Sequence, residues 1–204
     1  MSAHATSTVF LIDDDEDLCN LIVLYLEHAD VNVQPFASAE AFLSNFDPAQ
    51  PGCLLLDIYM PGMSGLELQQ ELIRREIETP IMIMTSQGDV PTAVQAMKAG
   101  AIDYIEKPLD PEQLIRRIHE CLEIDSTRRE KALRHERYNQ HLAQLTPREY
   151  EVMELMVAGK MNKVIAADLD ISQRTVEDHR AKIMEKLQAK SIADVVRFYL
   201  LSQY

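Results

Sequence analysis

No apolar run in this 204-residue chain approaches the roughly 18–20 residues that span a bilayer. Its first ten residues also lack the charged-then-apolar layout of a secretion signal. Neither a membrane protein nor an exported one is expected; a cytoplasmic protein is. Cysteine is scarce: Cys19, Cys53 and Cys121 lie unpatterned within apolar stretches. That excludes a disulfide scaffold and fits buried thiols in a reducing compartment, and no Cys/His spacing suggests zinc. Repeats and low-complexity tracts are absent as well. Positive charge is the last shortage, and it is local. Residues 1–124 hold 21 acids against 6 bases, residues 125–139 hold 3 against 5, and residues 140–204 hold 9 of each, within a net charge of -13. The first part would be repelled by nucleic acid, whereas the last would not.

What is present is apolar content, 47% of the chain, enough for one or two cores. Four short apolar runs each end abruptly on a polar residue. Thr8-Val-Phe-Leu-Ile12 stops at Asp13-Asp14-Asp15-Glu16-Asp17, and Cys53-Leu-Leu-Leu56 stops at Asp57. Pro80-Ile-Met-Ile-Met84 stops at Thr85-Ser86, and Asp103-Tyr-Ile-Glu106 at Lys107-Pro108. These read as buried strands, with Val31-Asn-Val-Gln-Pro35 as a further short one. Helical patterns alternate with them: Leu18, Leu21, Ile22, Tyr25 and Leu26 recur at helical spacing, Ser38 caps a helix to about residue 46, and Asp110-Pro111 opens another. Alternating strands and helices predict a doubly wound α/β sheet, in which ligands bind at the carboxyl edge of the strands. Asp15 and Asp17 read as helix-start residues near the positive end of the dipole.

Residues 125–138 are charged and poor in apolar residues, so they read as a linker with solvated charges, either a helical extension or a tether. From Leu142 the pattern is all helical. Thr146-Pro147-Arg148-Glu149 is a capping box, Ser172 caps a long helix to about Leu187, and Ser191 caps a last one. Four short helices with a tight turn between the second and third suggest helix-turn-helix. The expected layout is 1–124, a charged helical linker over 125–141, and an all-α domain over 142–204.

Asp13, Asp14 and Asp57 at one sheet edge would repel one another without a cation, and an all-oxygen pocket suits Mg²⁺. With the metal present a carboxylate can attack a phosphoryl donor, while Lys107 and Thr85 serve the transferred oxygens. On these residues, with Met60-Pro61-Gly62 after Asp57, the first part resembles the receiver domain of two-component response regulators, a flavodoxin-like (βα)5 fold. Leu145-Thr-Pro-Arg-Glu-Tyr-Glu, Gly159-Lys-Met-Asn-Lys and Ile171-Ser-Gln-Arg-Thr-Val-Glu-Asp-His-Arg are similar to the LuxR/FixJ-type four-helix helix-turn-helix. The resemblance implies that a sensor histidine kinase phosphorylates Asp57. It implies Mg²⁺ among Asp13, Asp14, Asp57 and the Tyr59 carbonyl, and a cis Lys107–Pro108 bond. The chain is then a phospho-accepting regulator, not an enzyme beyond self-catalysed phosphotransfer and dephosphorylation.

The resemblance also implies a switch through Thr85 and Tyr104, the aromatic turning inward when phosphorylation draws the hydroxyl away. A homodimer would form on the face of helix four, strand five and helix five, with Val94, Met97, Lys98, Ile102 and Arg116 as contacts. Promoter DNA is the expected partner of the second domain. Lys163, Arg174, Thr175 and Lys190 are candidates for phosphates, Glu177, Asp178, Arg180 and Lys182 point from the recognition helix, and His179 packs or meets a phosphate. Four positions depart from the family's usual residues: Tyr59 is bulky, Gln87 lies two after Thr85, and Asp170 and Gln188 stand where glycine is common. A phosphatase of the haloacid dehalogenase type would want Asp-x-Asp-x-Thr/Val after strand one, and here Asp13-x-Asp15 is followed by Asp17. A helical module that binds protein instead of DNA is the other alternative.

Overall fold

The computed structural model describes residues 7–86 and 90–201; Gln87 lies outside them. Cα packing divides the chain into two compact units, Met1–Arg129 and Glu130–Tyr204.

The first unit is built on five parallel strands in the order β2-β1-β3-β4-β5. They are β1 Thr8–Ile12, β2 Asn32–Phe36, β3 Gly52–Asp57, β4 Ile81–Ser86 and β5 Asp103–Lys107, alternating with α1 Glu16–His28, α2 Ala39–Asn45, α3 Gly65–Arg74, α4 Val90–Lys98 and α5 Pro111–Leu142. Side chains alternate across the central strands, so each strand feeds two cores. Val9, Leu11, Cys53, Leu55, Met82 and Met84 pack with α1 and α5. Phe10, Ile12, Leu54, Leu56 and Ile83 pack with α2, α3 and α4. Burial on both faces is why these runs read as continuously apolar. β5 departs from the buried pattern expected of it: it is the sheet edge, and Tyr104 and Glu106 are exposed while Ile105 is buried. Asp15, Ser38 and Asp110 cap their helices through backbone N–H groups three residues on, as their positions predict.

α5 is one continuous helix, so residues 125–141 are helical. The expectation that all charges of residues 125–138 are solvated is corrected at its start. Asp125 is 1% exposed and accepts the Gly52 N–H at 2.9 Å. Arg128 and Arg129 meet the same carboxylate at 2.9 and 2.7 Å, and Arg129 also donates to the carbonyls of Pro48, Ala49 and Gln50. A carboxylate that joins a strand's first N–H to two guanidiniums has its desolvation offset, which is why it sits inside.

The second unit holds the end of α5 and α6 Pro147–Val157, α7 Asn162–Asp168, α8 Gln173–Lys186 and α9 Ile192–Leu201. Val152, Met153, Ile165, Val176, Ile183, Leu187 and Val195 form its core. The Thr146/Glu149 capping box is present, and Glu149 also takes the Lys186 ammonium at 2.6 Å, tying the start of α6 to the end of α8. Burial alone would push the Glu149 pKa up; the Lys186 ammonium and the Thr146 N–H and hydroxyl outweigh it and hold it at about 2. Asp170 and Gln188 both adopt left-handed backbone, φ 51° and 52°, so the turns keep a glycine-like conformation without glycine.

Candidate functional site

The sheet order reverses between β1 and β3, and at that point the carboxyl ends of both strands face an open edge. Asp13 follows β1 and Asp57 ends β3, so the topology brings two carboxylates together there. Both are buried, 2% and 5% exposed, while Asp14 is exposed. Carboxylate oxygens of the three lie within 4.8 Å of one another. Lys107, from the end of β5, inserts its ammonium between two of them, 2.8 Å from Asp13 Oδ2 and 2.7 Å from Asp57 Oδ1. The Lys107–Pro108 bond is cis, as expected.

Backbone donors fix the rest of the cluster. Asp13 Oδ1 accepts the Asp15 N–H at 2.9 Å, and Asp57 Oδ2 accepts the Tyr59 N–H at 3.0 Å. Gly65 N–H donates to the Ile58 carbonyl, and a Cβ at Gly65 would stand 2.2 Å from the Asp57 carbonyl oxygen. Only glycine lets α3 begin so close to the strand that carries Asp57. Glu40 on α2 accepts the Met63 N–H at 3.0 Å and steadies the loop between them.

Burial pushes the Asp57 pKa above the ordinary carboxylate value and Asp13's charge adds to this; Lys107 and the Tyr59 N–H oppose it without cancelling it. For Lys107, burial works against the charge, but the hydrogen bonds to Asp13 and Asp57 prevail and its pKa is raised. Cys19 lies beneath, its thiol donating to the Asp13 carbonyl; burial and then Asp13 push its pKa to about 11, so it is no nucleophile.

Thr85, on β4, is 2% exposed, and Tyr104 is 41% exposed. Both line a cavity of about 300 Å³ together with Ala93, Val94 and Met97 of α4. Tyr59 is 58% exposed beside Asp57. Of the expected dimer contacts, Val94, Met97, Lys98 and Arg116 are exposed and Ile102 is half-buried.

In the second unit, Lys163, Arg174, Glu177, Asp178, Lys182 and Lys190 are exposed. Thr175, His179 and Arg180 are half-buried; the Thr175 hydroxyl bonds Ser172 Oγ at 2.8 Å, and His179 Nδ1 is buried without a partner among the described residues. Reasoning from sequence missed three supports: Gly65, Glu40 and the Asp125 clamp. Only the first carried a local signal, the capping sequence Ser64-Gly-Leu-Glu67.

Comparison with known proteins agrees with this fold. Residues 9–119 match the response regulator receiver domain, and residues 143–199 match the bacterial regulatory proteins of the luxR family. The transcriptional regulatory protein FixJ of Azorhizobium caulinodans is 40% identical over 95% of this chain and 92% of its own, and FixJ of Rhizobium meliloti is 41% identical over 95% of each. Among solved structures, response regulator StyR superposes with a TM-score of 0.89 at 39% identity, over 98% of this chain and 100% of that one. No helix among the described residues is long and apolar enough to cross a membrane. Receiver sheet, acid-and-lysine cluster and LuxR-type helices identify the chain as a member of the two-component response regulators, a transcriptional regulator whose receiver domain precedes a LuxR-type DNA-binding domain.

Proposed function

We propose that Asp57 accepts a phosphoryl group from a sensor histidine kinase, and that this change pairs two chains on promoter DNA. The observation that carries this reading is the Lys107 ammonium shared between Asp13 and Asp57. An Asp57 carboxylate oxygen attacks the phosphorus of a phosphohistidine; the new O–P bond forms as the P–N bond breaks, and the imidazole leaves with the electron pair. Lys107 offsets the charge gathered at the attacked group, and the buried Thr85 hydroxyl, at the neighbouring strand end, is the donor for a phosphoryl oxygen.

Three carboxylates against one ammonium leave an excess of negative charge in hard oxygen donors, a set that fits a divalent ion. Asp13, Asp14 and Asp57, with the Tyr59 carbonyl, would hold Mg²⁺. When bound, the ion neutralises the phosphoryl oxygens during transfer.

Thr85, drawn to the phosphoryl oxygen, vacates space beside the 300 Å³ cavity into which Tyr104 turns from its exposed position. That alters the surface of Val94, Met97 and Tyr104, whose exposed apolar area suits an isologous contact. Paired chains present two α8 helices to successive major grooves, with Lys163, Arg174, Lys182 and Lys190 on phosphates and the side chains of Glu177, Asp178 and Arg180 toward bases. Residues 1–124 and 142–204 serve as the receiver and DNA-binding domains, joined through 125–141.

The test is incubation with a small phosphoryl donor and Mg²⁺, followed by intact mass. Wild type gains one phosphoryl group and Asp57→Asn gains none. A wild type that stays unmodified, or an Asp57→Asn variant modified equally, overturns the assignment.

A further inference from the structure

We propose that Arg117 is a positioning residue for Tyr104, holding still the backbone from which that ring turns; this rests on the inward turn of Tyr104 proposed above. Nothing in the phosphoryl chemistry uses Arg117. It stands on α5 beside Leu114 and Ile118, which are buried in the core and root the helix there. Its Nη1 lies 2.8 Å from each carboxylate oxygen of Asp103 and 2.6 Å from the Tyr104 carbonyl oxygen. With two hydrogens, Nη1 serves the carboxylate with one and the carbonyl with the other. Asp103 Oδ1 in turn accepts the Tyr104 N–H at 2.8 Å. The circuit closes on one residue: Tyr104 is held through both its N–H and its C=O. The Arg117 and Asp103 side chains are only 26% and 33% exposed, so the ion pair is partly shielded from water.

This clamp sits where the sheet is least held. β5 has a neighbouring strand on one side only, so its backbone is freer to shift than that of β1, β3 or β4. Tyr104 lines the 300 Å³ cavity from an exposed position and enters it by rotating about its Cα–Cβ bond. With the N–H and the carbonyl both fixed, the Cβ direction is fixed too, and the ring moves between staggered rotamers on a still backbone. Space opened by Thr85 is then answered by the ring alone. Without the clamp, part of the response goes into drift of the edge strand, and the turned-in ring loses its preorganisation.

Fluorine NMR of the full-length chain labelled with fluorotyrosine reports the ring directly, with Tyr104→Phe assigning its signal. Samples are kept dilute enough to sediment as single chains, and acetyl phosphate with Mg²⁺ supplies the phosphoryl group, its uptake followed by intact mass. In wild type the Tyr104 signal should shift on phosphorylation. Arg117→Met should take up the phosphoryl group equally, yet populate the turned-in ring about 3- to 10-fold less relative to the exposed one, the worth of one hydrogen bond. Arg117→Lys, which keeps a cationic donor, should recover part of that loss, and Asp103→Ala, which frees the guanidinium, should reproduce it. Wild-type switching in Arg117→Met, whatever its thermal stability, overturns the role of Arg117. A Tyr104 signal that stays put in wild type overturns the turn itself and the role of Arg117 with it, so the two failures are told apart by the chain in which they occur. Should Arg117→Met not fold, Asp103→Ala and Arg117→Lys decide the matter: full switching in Asp103→Ala overturns the clamp.

Discussion

Asp57 owes its state to opposed neighbours, and under the proposed function the residues around it would set both its reactivity and the lifetime of its phosphoryl group. Tyr59 stands two residues on, its N–H held by the Asp57 carboxylate and its side chain largely exposed at the mouth. We propose that the phenol restricts the approach of a hydrolytic water to the phosphorylated carboxylate. Tyr59→Asn is expected to shorten the phosphoryl lifetime roughly fivefold, equivalent to about 1 kcal/mol of barrier. Following decay of the phosphorylated protein by mass or radiolabel checks this; an equal or slower decay in the variant sinks it. Gly65 acts from behind the strand. Gly65→Ala must displace the Asp57 backbone or the start of α3, at a cost of about 1–3 kcal/mol. The rate of phosphorylation should fall at least tenfold, and a variant phosphorylating at the wild-type rate would show that the loop yields freely. The acids and the lysine of this site were legible in the sequence because a polar residue ending an apolar run has few other uses in sets of four. Gly65 and Glu40 were not, since what they touch is set by the approach of other elements.

At the scale of elements, two turns and two carboxylates carry the energetics. Left-handed backbone costs a side chain about 1–2 kcal/mol, and glycine returns part of that to the unfolded chain. Gln188→Gly should therefore stabilise the second unit by about 0.5–1 kcal/mol, and Asp170→Gly by less, because aspartate tolerates this region better than glutamine. Thermal unfolding of both variants decides the order. Glu149 gives a pH signature. Its carboxyl is held at about 2 against an ordinary 4.5, so its contribution is fully present above 4.5 and is lost as pH falls toward 2. Because Lys186 is 31% exposed, screening leaves about 1–2 kcal/mol. Glu149→Gln should be less stable by that amount at neutral pH, with the gap closing in acid; a gap independent of pH would assign the loss to packing. The capping box was readable from Thr146 and Glu149. Its second partner, Lys186, and the Asp125 clamp were not, because each joins residues far apart in sequence, and a charged tract looks solvated until its partners are placed.

For the whole molecule, charge decides how the two parts must cooperate. The receiver part carries 21 acids against 6 bases and the helical part is neutral, so net charge does not draw a single chain to DNA. Each module exposes Lys163, Arg174, Lys182 and Lys190. If three or four of them meet phosphates, each salt-dependence slope is about -3 for one module and about -6 for a pair. Raising salt from 50 to 200 mM should then weaken the paired complex by about 10³- to 10⁴-fold and the single one by less than 10². Phosphorylated wild type should sediment as a dimer and show the steep slope on a two-half-site promoter, while Asp57→Asn stays monomeric with weak binding and the shallow slope. Val94→Glu, on the exposed face of α4, should be phosphorylated normally yet behave like Asp57→Asn in both measurements. That variant separates phosphate acceptance from pairing: if it dimerises and binds with the steep slope, the pairing surface lies elsewhere; if Asp57→Asn binds as tightly as the phosphorylated chain, pairing is not what phosphorylation supplies.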